Sequence, residues 1–241
     1  MRSPRTLIKT LRRWLGLPTP ATTHTTAAPA AVAKPPRHKP QAPLRTYDKA
    51  AIQAMPEFPG LQREAIVVVE DEAGAANACA VLQAAGVVGF DTESKPTFNK
   101  GEQSQGPHLI QLSTAGCAYL FPVRNNQVPA ALRELLMSPK VIKVGFDLRS
   151  DKAQMAANLK LHCQGIDDLV SVFRKQGYRN TIGAVQAVAI LFGQHYRKSK
   201  SAKMSNWAAP QLNDSQQRYA ANDAYVALRV YQALREKAQR R

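Results

Sequence analysis

The apolar run Val87-Val88-Gly89-Phe90 passes without a break into Asp91-Thr92-Glu93, and this junction constrains the fold more than any other feature of the chain. An apolar, β-branched run predicts a strand, and residues two apart on a strand project from the same face. Two carboxylates on one face at the end of a buried strand repel each other and lose hydration. They need solvent, a Lys or Arg partner, or a hard cation such as Mg²⁺ or Mn²⁺, for which carboxylate oxygen is the preferred ligand. Alone, the D-x-E spacing also describes an ordinary solvated strand end.

The surrounding sequence makes that strand one of several. Strand-like runs at 65–69, 87–91, 109–113, 118–121 and 141–145 alternate with helical patterns at 74–85, 129–137, 148–159, 168–174, 182–191 and 214–237. Such alternation predicts an α/β domain. With 241 residues and 44% hydrophobic side chains, the chain has enough material for one ordinary core plus a tail. Residues 194–209 hold few apolar side chains and four cations, Arg197, Lys198, Lys200 and Lys203, and read as a loop.

The tail is marked by charge. The chain carries 33 Lys and Arg against 17 Asp and Glu, a net +16, which favours an anionic partner such as nucleic acid or an acidic membrane surface. No acidic residue precedes Asp48. Leu7, Ile8, Leu11, Trp14 and Leu15 recur at helical spacing with Arg5, Lys9, Arg12 and Arg13 elsewhere, predicting a short basic amphipathic helix. From 18 to about 45 the composition is Pro, Ala and Thr, which buries too little to offset chain entropy and predicts a disordered tether. The expected organisation is therefore a basic segment and tether over 1–46, then a folded domain over 47–241. The basic segment fits a weak contact with an anionic membrane or nucleic acid. Three scattered cysteines, Cys79, Cys117 and Cys163, make no disulfide framework or zinc spacing and fit a reducing compartment. No run is long enough for a membrane span or a secretory signal. A cytoplasmic location is expected, with organelle targeting by residues 1–17 left open.

Two further segments place carboxylates at element ends. Gly145-Phe146-Asp147-Leu148-Arg149-Ser150-Asp151 follows a strand and opens a helix, the kind of junction at which open α/β sheets bind ligands. There Asp147 fits the N-cap. Asp151, in the first turn, is on its own better explained as complementing the helix dipole. In the last helix Tyr219 and Asp223 stand four residues apart on one face, beside an apolar stripe of Ala220, Ala224, Ala227 and Tyr231. A carboxylate so close to the core edge needs a cation or solvent. Asn213 and Gln216 have the spacing of a capping box, which fixes the start of that helix.

Asp91-Thr92-Glu93, Asp151 and the Tyr219/Asp223 pair together resemble the DEDD superfamily of 3′→5′ exonucleases in its tyrosine subclass, which includes ribonuclease D and the Werner-type exonuclease domains. The likeness spans roughly 62–235. It includes His108-Leu109-Ile110-Gln111-Leu112, Lys143-Val144-Gly145, Leu212 through Tyr231, and Ser205-Asn206-Trp207, which looks Werner-like. It implies an α/β ribonuclease H-like fold, a mixed central sheet flanked by helices with its first three strands antiparallel. It also implies hydrolysis of DNA or RNA from the 3′ end to 5′-mononucleotides. Two divalent cations, Mg²⁺ or Mn²⁺, would be held by Asp91, Glu93, Asp151 and Asp223, with Asp91 shared and Tyr219 orienting the attacking water. Thr92, Lys95, Lys200, Lys203 and Trp207 are candidate substrate contacts, the lysines for phosphate and Trp207 for base stacking. Lys100, near Lys95, is a further candidate. The competing expectation is a nucleic-acid-binding module on the same fold without catalysis.

Overall fold

The computed structural model describes residues 44–98 and 101–240, so the basic segment, most of the tether and Lys100 lie outside the described residues. Among the described residues six strands form one mixed sheet: β1 (Ile66–Val68), β2 (Val87–Glu93), β3 (Leu109–Ser113), β4 (Ala118–Pro122), β5 (Ile142–Gly145) and β6 (Ile166–Asp168), in the order β1-β4-β3-β2-β5-β6. β2, β3 and β4 make an antiparallel meander, while β1 runs parallel to β4, and β5 and β6 continue parallel from β2. The antiparallel trio expected at the start of the sheet is thus the second to fourth strands. β1 precedes it as a parallel edge strand.

The helices are α1 (Lys49–Gln53), α2 (Glu72–Ala85), α3 (Ala130–Met137), α4 (Arg149–Leu159), α5 (Leu169–Lys175), α6 (Ala184–Phe192), α7 (Lys200–Lys203) and α8 (Asp214–Gln239). No described helix is long and apolar enough to cross a membrane.

Strand alternation sorts the core into two faces. Val88 and Phe90 of β2, Ile110 and Leu112 of β3 and Phe121 of β4 are fully buried against Leu82 of α2 and Leu132, Leu135 and Leu136 of α3. The opposite face, with Leu109 and Leu120, packs against Trp207, Tyr219, Ala220 and Ala221. Gly89 shows how close the latter packing is. A Cβ there would lie 1.8 Å from the Ala224 carbonyl oxygen of α8, so only glycine lets the helix backbone settle on β2. Ala224 adjoins Asp223, and Gly89 lies two residues before Asp91, so this contact brings the two carboxylates together. A third cluster, including Phe58, Phe173, Val188, Tyr225 and Val230, fills the space among α5, α6 and the distal part of α8.

Three local expectations need correction. The stretch at 194–209 is not all loop, because Ser199 accepts from the Ala202 amide at 3.2 Å and starts the one-turn helix α7. Asp147 does not cap α4. Its φ is +54°, Leu148 takes the N-cap position, and the Asp147 and Leu148 amides donate instead to Asp168 at 3.2 and 3.3 Å. Asp168 also accepts from Val170 at 2.9 Å and so caps α5. The third correction is an addition: β6 is a strand that the sequence reading lacks.

Candidate active site

β2 continues through Glu93, so Asp91 and Glu93 lie within a strand, both on the face that meets α8. Asp223, on the sheet-facing side of α8, completes a group of three in which one carboxylate oxygen from each residue lies within 4.8 Å of the others. Asp151 approaches from the first turn of α4. The Thr92 hydroxyl, which alternation directs to the opposite face of β2, donates to Asp151 Oδ1 at 2.5 Å, and the Thr92 amide donates to Asp91 Oδ1 at 3.0 Å. Thr92, expected to touch substrate, here ties two carboxylates to one strand end.

The charges are tightly packed. Burial, and then the charges of Asp223, Asp151 and Glu93, hold the Asp91 carboxyl well above its ordinary range. Burial and Asp223 raise Glu93 to about 8, against the lowering influence of Lys198 and Lys203. Burial likewise raises Asp151, although hydrogen bonds from Thr92 and Ser150 act the other way. Such a group resists full ionisation unless positive charge enters. Close carboxylate oxygens that outnumber the lysines beside them fit a hard, oxygen-preferring divalent cation.

Tyr219 is 8% exposed and lies beside Asp223 on α8. Burial, followed by the neighbouring carboxylates, pushes its phenol far above the usual range, so it stays a neutral donor at any working pH. Its ring rests against Trp207 with centroids 6.0 Å apart. Trp207 is only 2% exposed, and its indole N–H donates to the Lys203 carbonyl at 3.3 Å. That burial corrects the expectation of base stacking. No ring face is free for a base, and Trp207 instead braces Tyr219. Lys95, Lys200 and Lys203 are exposed, and Lys203 is near enough to act on Glu93.

The structure also adds two residues that the sequence reading did not place at the site. Tyr196 is 6% exposed and donates from its hydroxyl to Asp223 Oδ1 at 2.5 Å. Lys198 pairs with Asp223 Oδ2 at 2.7 Å. Burial opposes its charge, but Asp223 and Asp91 outweigh that and hold it above its ordinary range. Lys198 was visible only as one loop cation among four, and Tyr196 as a lone aromatic in a polar stretch.

Among curated proteins, the chain is 32% identical over 152 residues to the mouse bifunctional 3′-5′ exonuclease/ATP-dependent helicase WRN. The match covers 61% of this chain and 11% of that protein, so the chain spans about a tenth of that relative's length. Among solved structures it resembles the Nibbler EXO domain of Aedes aegypti (TM-score 0.63, 24% identity, 75% of this chain and 91% of that one). It also resembles Trypanosoma brucei RNase D in complex with RNA U12 (TM-score 0.62, 22% identity, 77% and 64%). These likenesses show the ribonuclease H-like fold. A family model described as 3′-5′ exonuclease matches residues 66–239, a span holding all six strands and every carboxylate of the cluster, and the chain belongs to this DEDD 3′-5′ exonuclease family.

Proposed function

We propose that this chain hydrolyses single nucleotides from the 3′ end of a nucleic acid in the manner of the tyrosine subclass, with two divalent cations held by Asp91, Glu93, Asp151 and Asp223. The observation that carries the reading is the meeting of β2 and α8 at Asp91, Glu93 and Asp223, with Asp151 of α4 outside that trio but near enough to act on Asp91, and with the Tyr219 phenol on the same face of α8 as Asp223. The cations, when bound, supply Lewis-acid activation of water and stabilise charge developing on the leaving 3′ oxygen.

The protein's own groups do the rest. Tyr219, neutral and braced by Trp207, orients the attacking water by hydrogen bonding, since a phenol that holds its proton so firmly is no base. Thr92 keeps Asp151 in line with the end of β2. The exposed lysines Lys95, Lys200 and Lys203, the last near enough to act on Glu93, would contact phosphates of the approaching strand. The product is a 5′-mononucleotide. RNA in complex with the trypanosomal structural neighbour supports a nucleic-acid substrate, and both sugar types belong in the test.

That test incubates 5′-labelled DNA and RNA oligonucleotides with Mn²⁺ or Mg²⁺. Wild type is expected to give a ladder shortening from the 3′ end, and Asp91→Ala to abolish it. A binding module without catalysis would give no ladder with either protein.

A further inference from the structure

Asp223 divides its two oxygens between unlike partners. Oδ1 accepts from the buried Tyr196 hydroxyl at 2.5 Å, while Oδ2 faces Lys198 Nζ at 2.7 Å. The Asp223 side chain is 3% exposed and that of Lys198 is 36% exposed. The partners are two residues apart in a stretch anchored at its start, where His195 donates to Pro56 at 2.8 Å and Phe58 donates back to His195 at 3.0 Å. Phe58 packs edge-on against the Tyr196 ring, with centroids 6.5 Å apart.

The two contacts differ in permanence. A phenol only 6% exposed is sheltered from solvent, and its hydrogen bond to a carboxylate is charge-assisted. A lysine ends in a point charge on a flexible stem, and this one, 36% exposed, regains water when it swings away. Nζ stands on Oδ2 at 2.7 Å, and so competes with a cation for that oxygen.

We propose that residues 196–198 form a clamp on Asp223, in which Tyr196 is a positioning residue that fixes Oδ1 throughout and Lys198 is an exchangeable counter-ion that yields Oδ2 to a divalent cation. The clamp rests on the two-cation reading. It explains how Asp223 stays beside Asp91 and Glu93 before a metal arrives, and why the neutralising group is a partly exposed lysine, which can leave.

The experiment is a Mn²⁺ titration of the full chain, followed by the electron paramagnetic resonance signal of the free ion. Tyr196→Phe removes the orienting donor and should weaken Mn²⁺ binding about tenfold. Lys198→Met removes the competitor and should tighten it about two- to fivefold. The opposite signs are diagnostic, since a stretch that merely supports the fold would weaken binding in both variants. That outcome, or unchanged affinity in Lys198→Met, overturns the clamp. Circular dichroism in EDTA checks folding, and Lys198→Gln replaces the Met variant if the latter is unfolded. Should wild type take up no Mn²⁺, the two-cation reading itself fails; should wild type bind while the variants do not diverge, only the clamp fails.

Discussion

Glu93, raised from an ordinary 4.5 to about 8 by burial and by Asp223, binds a proton in the folded, metal-free protein over a pH range in which the unfolded chain has lost it. A folded pKa raised in this way contributes stability that is complete below about 4.5 and disappears as pH climbs through about 8. Asp91 and Asp151 shift in the same direction. Thermal denaturation in EDTA should therefore show a melting temperature that falls between pH 5 and pH 8. Saturating Mn²⁺ should remove or reverse that fall, because ligation requires the deprotonated carboxylates. Tyr219→Phe tests a different residue. It should leave Mn²⁺ affinity near wild type and lower kcat about 10²- to 10⁴-fold, measured by single-turnover cleavage. The D-x-E pair and the Y-x-x-x-D pair were legible in sequence because strand and helix periodicity alone put each pair on one face. Tyr196 was not, since no period governs the irregular stretch after α6, and only the path of the chain past Phe58 turns its hydroxyl toward Asp223.

At the scale of elements, the site depends on α8 lying flush on β2. Gly89→Ala would drive a methyl group into the Ala224 carbonyl, and neither backbone can yield without moving Asp223 from Asp91. The expected cost is about 3 kcal/mol, at the upper end for overpacking, read from urea denaturation. The start of α8 is held by a capping box in which Asn213 accepts from the Gln216 amide at 2.9 Å and Gln216 accepts from the Asn213 amide at 3.0 Å. Asn213→Ala should cost about 1 kcal/mol in the same assay. The capping box was readable in advance because its chemistry is local. β6 was not, because three residues of which two are aspartates show no apolar alternation. Its pairing comes from β5 beside it. One-turn α7 is too short to display a helical period, and its buried Ala202 and neighbouring Trp207 pack only because α8 and the sheet lie beneath.

For the whole molecule, basic charge and acidic site play separate parts. The excess of cations favours an anionic strand, whereas the carboxylate cluster would repel it until divalent cations neutralised it, as the proposed function requires. If Lys95, Lys200 and Lys203 each meet one phosphate, the logarithm of the single-strand binding constant should fall against the logarithm of salt concentration with a slope of about −2. Fluorescence anisotropy in the presence of Ca²⁺ would read it, and Lys200→Glu with Lys203→Glu should flatten it. The central claim is more specific than charge: four carboxylates from three elements hold cations that share Asp91. Anomalous diffraction from crystals grown with Mn²⁺ measures this directly. Two peaks are expected, both ligated by Asp91 and between them by Glu93, Asp151 and Asp223; Mn²⁺ bound elsewhere, with these four side chains unligated, would refute the shared site.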